Sequence, residues 1–330
     1  GAAAIAELIS SVPHAAHASH YAHIIRDKAM LRSLIDASTD ILRDAYDAYD
    51  EPRELLSQAE EKIFSILENR SSAEAKPIQS VLEDVMVRMD ARMKHEHALG
   101  GVETGFTDLD TLCGGLHNSE LIILAARPSM GKTALAMNIA EHISINSNQP
   151  VLFVSLEMAS LELADRLLCS AAQVNGHRLR NGTISQEDRR RLVQKSSEIS
   201  SAPLYIDDTP GRTLTEIAAV ARRLKRKQGL SIIVIDYLQL IEPDNPRDPR
   251  QEQVARIARR LKTMSRELDI PILCLAQLNR QAEASRDNRP RLNHLRESGA
   301  IEQDADVVMF VHREEYYQTT DEDRERVKGE

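Results

Sequence analysis

The 330-residue chain has no tryptophan, four phenylalanines and three cysteines. So few large aromatic rings argue against a surface on which nucleobases stack in series. Any contact with nucleic acid is then expected to run mainly to phosphates. Cys113, Cys169 and Cys274 are an odd number, lie far apart and form no C-x-x-C pair. That speaks against a disulfide framework or a zinc site and fits the reducing cytoplasm. No uninterrupted apolar run approaches the roughly 20 residues that cross a bilayer. The opening Gly-Ala-Ala-Ala-Ile-Ala-Glu7 lacks the basic start and unbroken apolar core of a signal peptide. The expectation is a cytoplasmic protein with no membrane partner.

Positive charge is also short: the net charge is −9, which counts weakly against nucleic-acid binding. The deficit is uneven. Residues 101–313 carry 28 basic and 27 acidic side chains, whereas residues 1–100 are net −6 and residues 314–330 net −4. Local basic clusters in the near-neutral middle can act within a Debye length.

What is present is organised in two styles. From Tyr21 to Leu42 apolar residues recur at helical spacing, and Leu55 to Leu67 repeats the pattern after Asp50-Glu51-Pro52. Residues 1–70 are therefore expected to form an all-α hairpin, too small to be a robust domain alone. Residues 71–99 read as a linker. Its polar start, through Pro77, leads into a short amphipathic helix, Ile78 to Met93, that must dock on something to persist. From residue 100 apolar strands alternate with helices. The strand candidates are Leu121–Ala126, Val151–Leu156, Leu204–Ile206, Ser231–Asp236, Pro271–Ala276 and Asp306–Val311. That alternation predicts an α/β domain over 100–330, with a mostly parallel sheet flanked by helices. Active residues are expected beyond the C-terminal strand ends.

The first of these strands runs into Ala126-Arg-Pro-Ser-Met-Gly-Lys-Thr133, which fits a phosphate-binding loop, G-x-x-x-x-G-K-[ST], in all but its first glycine. Alanine at 126 is tolerable if its φ stays negative. Backbone N–H groups and a helix N-terminus can cradle phosphate oxygens there. Arg127, Ser129, Met130, Gly131, Lys132, Thr133 and Ala134 are the expected ATP contacts. Lys132 would neutralise the β/γ-phosphates, and the Thr133 hydroxyl would ligate Mg²⁺.

Three further strand ends carry polar groups. Glu157 follows Val151-Leu-Phe-Val-Ser-Leu156, Asp236 closes Ile232-Ile-Val-Ile, and Gln277 closes Ile272-Leu-Cys-Leu-Ala. Asp236 would hold Mg²⁺ through water. Glu157 would take a proton from the attacking water as general base, and Gln277 would donate a hydrogen bond to the γ-phosphate. A strand-end acid alone is often a turn or cap residue; three polar ends after one phosphate loop favour catalysis.

The basic clusters differ in what they offer. Arg222-Arg-Leu-Lys-Arg-Lys227 lies near a predicted helix C-terminus, where solvated cations suit the helix dipole. Arg256, Arg259, Arg260, Lys262 and Arg266 line one helix, read as a solvated face or a subunit contact. The polar loop Arg286–Gly299 between two core strands is better placed to bind phosphates. His14, His17, His20 and His23 recur every third residue without acidic or thiol partners, so a packed or solvated helix face is expected rather than a metal site.

Taken together, these motifs closely resemble those of the replicative DNA helicases of the DnaB type. Thr104-Gly-Phe-Thr-Asp-Leu-Asp110, the phosphate loop, Phe153-Val-Ser-Leu-Glu-Met158, Val234-Ile-Asp-Tyr-Leu-Gln-Leu240, Leu275-Ala-Gln-Leu-Asn-Arg280 and Leu295-Arg-Glu-Ser-Gly-Ala-Ile-Glu-Gln-Asp-Ala-Asp306 carry the resemblance. It implies a RecA-like fold, a hexameric ring and ATP-driven 5′→3′ translocation on single-stranded DNA. Arg296, Glu297 and Gly299 would belong to the DNA-binding loop. The linker helix would dock on the adjacent subunit, and the N-terminal hairpin would belong to a collar that meets primase, with a helicase loader as a further partner. The family pattern also continues past Glu330 into strands carrying a trans-acting Lys-x-Arg element, so the domain is expected to lack its last strands. Alternatives from the same residues are a RecA-type ring ATPase or recombinase, and a nucleotide-binding scaffold without efficient turnover.

Overall fold

The computed structural model describes residues 18–47, single positions between 55 and 89, and residues 100–279, 289–295 and 299–317. The chain divides into two compact units, Gly1–Asp90 and Ala91–Glu330. In the first, helix α1 spans Ala18–Asp47, longer at both ends than the apolar spacing predicted. Its Ile25, Ile35 and Leu42 are exposed, as are Ile78, Leu82, Val85 and Met89 of the linker stretch, which are helical as expected. Lys62 joins Asp44 of α1 at 2.6 Å. His14 and His17 lie outside the described residues.

The second unit is built on six parallel strands: β1 Leu121–Ala126, β2 Val151–Ser155, β3 Leu204–Asp207, β4 Ile232–Asp236, β5 Ile272–Gln277 and β6 Val307–Val311. Their order is β3-β2-β4-β5-β1-β6, every pair parallel. The expected α/β architecture is borne out, with strand ends within a residue or so of the apolar runs. The helices are α2 Thr107–Cys113, α3 Lys132–Glu141, α4 Ser160–Ala171, α5 Gly176–Arg180, α6 Gln186–Ile199, α7 Leu214–Gln228, α8 Arg250–Leu268 and α9 Gly299–Asp304.

Why the inner strands are apolar on both faces up to their last residue follows from the two layers of helices. Side chains alternate across a strand, so both sets need cover. Leu121, Ile123, Ile233, Ile235 and Ile272 pack with Ile217 and Ala221 of α7 and Ile257, Ala258 and Leu261 of α8. Ile122, Leu124, Phe153, Val234 and Leu273 pack with Ala136 and Ile139 of α3 and Leu163 of α4. The two outer strands, β3 and β6, are only half-buried. Helix starts use local chemistry: Ser185 with Asp188, and Thr213 with Glu216, form reciprocal capping boxes. Helix α4 is capped from outside, because its Ser160 N–H donates to Asp208, just past β3, at 2.7 Å. Hydrogen bonding from the Ser160 N–H, then from its side chain, holds the Asp208 carboxyl below its ordinary range. Among the described residues no helix is long and apolar enough to cross a membrane.

Two motifs singled out in the sequence prove to be fasteners. Asp110 is buried and accepts from Thr104 N–H at 2.9 Å, Thr104 Oγ1 at 2.8 Å and Gly105 N–H at 3.1 Å. Asp306 accepts from Leu121 N–H at 2.7 Å, while its own N–H bonds the Leu121 carbonyl at 3.0 Å. Lys262 grips both Asp306 oxygens, at 2.8 and 2.7 Å, and the Ser119 carbonyl at 2.8 Å. The N-terminal end of β1 is thereby tied to β6 and α8.

The basic face of α8 is solvated as expected and also carries ion pairs. Arg256 pairs with Asp248 at 2.8 Å, Lys262 with Asp306 at 2.7 Å, Arg259 with Asp304 at 4.0 Å, and Arg260 with Asp244. Arg256, Arg259 and Arg266 are exposed, as a solvated face requires, and acids on flanking loops and at the end of α9 lie within reach of Arg256, Arg259, Arg260 and Lys262. The Arg222–Lys227 cluster divides. Arg222 reaches Glu267 at 3.1 Å and Lys225 bonds the Leu268 carbonyl, while Arg223, Arg226 and Lys227 are solvated as expected.

The Asp110 fastener generates a stability prediction. Asp110→Ala removes three hydrogen bonds to a carboxylate and strands Thr104, which is 1% exposed. A loss of about 2–4 kcal/mol is expected, read as a lower denaturant midpoint at unchanged slope. A loss under about 0.5 kcal/mol, the range of ordinary surface changes, would refute the fastener role.

Candidate active site

Strand β1 leads into the loop Arg127–Gly131, and α3 starts directly at Lys132. Met130 is 3% exposed, so its side chain anchors the loop in the core and leaves its backbone facing out. Ala126 is the last residue of β1, buried and in extended backbone, so the missing first glycine costs nothing. The unusual geometry sits elsewhere. Ser129 has φ 67° and Gly131 φ 98°, two left-handed residues that curl the backbone under an open space. A Cβ on Gly131 would meet nothing within 4 Å. No side chain caps the start of α3, so its first N–H groups remain available to an anion.

Register brings the functional side chains together. Ser155 lies opposite Asp236, and Ala126 opposite Gln277. Thr133 Oγ1 donates to Asp236 Oδ2 at 2.6 Å, joining the start of α3 to the end of β4. Lys132 Nζ sits 3.5 Å from Asp236 Oδ1 and 4.2 Å from the centroid of the Tyr237 ring. Asp236 is 0% exposed, and its Oδ1 accepts no hydrogen bond. A buried carboxylate oxygen without a donor, next to a threonine hydroxyl, is the oxygen set that a hard divalent cation takes. The residues fit Mg²⁺.

Glu157 stands on a turn past β2. Ser155 Oγ donates to the Met158 carbonyl at 2.7 Å, and Leu156 N–H donates to the Asp236 carbonyl at 2.8 Å. The turn is thus fixed to β4, with Glu157 exposed at its tip. Burial, then the charges of Glu157 and Asp236, push the Tyr237 phenol above its ordinary range. Gln277 is the exposed last residue of β5.

Other expected site residues have different placements. Arg127 Nη1 donates to the Leu278 carbonyl at 2.9 Å, stitching the phosphate loop to the end of β5. Ala134 is exposed on α3 and helps line a cavity of about 470 Å³ with Met137, Arg166 and Cys169. Gly299 is the first residue of α9, while Arg296 and Glu297 lie outside the described residues. Two neighbours escaped the sequence reading. Tyr237 faces Lys132, and Gln239 bonds the main chain of Gln277. Both lie in the Val234–Leu240 run, but nothing in that run marks them for these contacts.

With this geometry in view, comparison with known proteins is decisive. Residues 101–329 match the family described as the DnaB-like helicase C terminal domain. The replicative DNA helicase DnaB of Geobacillus stearothermophilus is 41% identical over 325 residues, covering 98% of this chain and 72% of that protein. The chain belongs to the DnaB-type replicative DNA helicases. The helicase of Treponema pallidum is 43% identical over 314 residues, 95% of this chain and 71% of that protein. Among solved structures, one ATPase domain superposes with TM-score 0.71 at 37% identity, covering 75% of this chain and 88% of that one. A DnaB-like replicative helicase, solved in a study of its interactions with primase, gives TM-score 0.76 at 33% identity, with 98% and 75% covered.

This helicase is therefore an ATP-hydrolysing enzyme with a RecA-like core, as its motifs implied. Its phosphate loop makes one direct prediction. Lys132→Ala removes the ammonium that faces Asp236 in this structure. Loss of a charge-assisted hydrogen bond to phosphate is worth about 1.5–3 kcal/mol, so ATP affinity should fall at least about 10-fold by calorimetry. Unchanged affinity would remove Lys132 from the site.

Proposed function

We propose that this helicase binds ATP·Mg²⁺ over the Arg127–Ala134 loop and couples its hydrolysis to 5′→3′ movement along single-stranded DNA. The observation that carries this reading is the Lys132–Asp236–Thr133 constellation, with contacts of 3.5 and 2.6 Å around a carboxylate oxygen that lacks a donor. The Thr133 hydroxyl and the Asp236 carboxylate would hold Mg²⁺. When bound, the cation supplies positive charge to the phosphate oxygens. Lys132 exchanges Asp236 and the Tyr237 ring for the β/γ-phosphates. The N–H groups at the start of α3 and the curled Ser129–Gly131 backbone orient the phosphates. Glu157 accepts a proton from the attacking water, and the Gln277 amide donates to the γ-phosphate. Arg127 acts from the rim, keeping the loop and the end of β5 in register.

DNA contact is assigned to the 286–299 loop through Arg296, Glu297 and the Gly299 backbone, reading phosphate rather than base. The exposed apolar positions Ile78, Leu82, Val85 and Met89 support docking of the 71–99 linker helix on an adjacent subunit of a homohexamer. Residues 1–70 are assigned to a collar that meets primase, with a loader as a further partner, all in the cytoplasm. Residues 100–330 form the motor.

Two measurements test the assignment. Glu157→Gln should leave ATP affinity in place while DNA-stimulated turnover falls by roughly 10²–10⁴, the usual worth of a positioned general base. Near-normal turnover would move that role to another residue. Arg296→Ala should weaken single-stranded DNA binding equally for all sequences and flatten the log–log salt dependence by about 0.7 for one lost phosphate contact. A base-dependent loss, or none, would count against phosphate tracking by this loop.

A further inference from the structure

Strand β5 outlasts its neighbour. Strand β4 pairs with it at Ile233↔Ile272, Val234↔Leu273 and Ile235↔Cys274, and then turns away into the 3₁₀ turn Leu238–Leu240. On its other side β5 goes on pairing with β1 as far as Ala126↔Gln277. The Leu278 N–H points to β1, where it bonds the Ala126 carbonyl at 3.0 Å. Main-chain direction alternates along a strand, so the N–H and C=O of Gln277 point the other way, toward the side that β4 has left.

The side chain of Gln239 stands in that gap. Its Oε1 accepts from Gln277 N–H at 3.2 Å, and its Nε2 donates to the Gln277 carbonyl at 3.1 Å. A carboxamide carries one acceptor and one donor group side by side, as a peptide unit does. Gln239 therefore replaces the missing strand at one residue. The partners also settle which end of the amide is which, since a flipped amide would set donor against donor and acceptor against acceptor. The turn bearing Gln239 is braced in its turn. Its carbonyl accepts from Arg250, which also donates to Gln253 Oε1 at 3.1 Å. Gln253 donates to the Asp248 carbonyl at 2.8 Å.

We infer that Gln239 is a positioning residue for ATP hydrolysis: its carboxamide holds the main chain of Gln277 and so sets where the Gln277 amide meets the γ-phosphate. This rests on the reading of Gln277 given above. Both ends of the Gln239 carboxamide are taken up by the Gln277 main chain, so it acts through the backbone of that residue. Loss of the clamp leaves the exposed end of β5 held from one side only, and small displacements of a positioned group cost rate more than they cost binding.

The test compares Gln239→Ala, Gln239→Glu, Gln277→Ala and the double variant Q239A/Q277A in the full chain, by DNA-stimulated ATP turnover, fluorescent-nucleotide affinity and thermal unfolding. Gln239→Ala should lower kcat about 10-fold while nucleotide affinity stays within about 2-fold and the unfolding midpoint holds, and the double variant should be no slower than Gln277→Ala alone. Gln239→Glu separates positioning from packing. As a carboxylate it accepts from the Gln277 N–H but repels the Gln277 carbonyl; once protonated it can donate again. Its kcat relative to the parent should therefore rise several-fold as pH falls from 7 through about 5, toward the ordinary glutamate range. An unaffected Gln239→Ala beside a slow Gln277→Ala overturns this inference alone. Additive losses in the double variant, or a flat pH ratio for Gln239→Glu, overturn it as well. A Gln277→Ala variant with normal turnover overturns the reading of Gln277 and the inference with it.

Discussion

Asp236 is carried fully out of water by the strand that ends in it, and a buried carboxylate is costly unless other groups answer its charge. Much of the active site can be read as that answer. Thr133 donates a hydrogen bond to one oxygen, Lys132 faces the other, and the latter accepts no hydrogen bond. Because Asp236 belongs to a central strand, these partners must come from the phosphate loop, two strands away in the sheet order. The β2–β4 ladder brings the Glu157 turn close, since Leu156 N–H bonds the Asp236 main-chain carbonyl. One buried acid thus organises three segments far apart in the chain.

Much of this arrangement was legible in the residues. Unbroken apolar runs of four to six residues, each followed by a polar side chain, announce strands covered on both faces, and β1, β2, β4 and β5 are such strands. Gly131-Lys132-Thr133 marks a strand–helix junction in the sequence, and the helix does begin at Lys132. The strain in the loop before it is not legible: the motif's missing glycine falls at Ala126, whose backbone is ordinary, while the left-handed residues are Ser129 and Gly131. A motif names residue types, and φ is decided by how the loop must curl.

Pairings between a side chain and a distant main chain were also beyond reach. Gln239 meets Gln277 across 38 positions, Asp208 meets Ser160 across 48, and Lys262 meets Ser119 across 143. Nothing local marks these partners, because they are set by strand order and by where one strand stops short of another. The α8 cations, exposed as expected, show the same limit for ion pairs. A row of Arg and Lys at helical spacing reads as a solvated or intersubunit face, yet Asp244, Asp248, Asp304 and Asp306 were within reach once the loops folded back. Charge pattern along a helix gives the sign of a surface and leaves its counter-ions unnamed.

The fastening of β1 at both ends has a mechanical consequence. At its base Asp306 and Lys262 bind it to β6 and α8, and at its tip Arg127 and Leu278 bind it to β5. A rod pinned at each end cannot slide or fray when a load is applied at one of them. Free energy released beside the phosphate loop therefore has no soft strand to be lost in. A displacement of that loop is instead passed to the elements that hold β1, namely β5, β6 and α8.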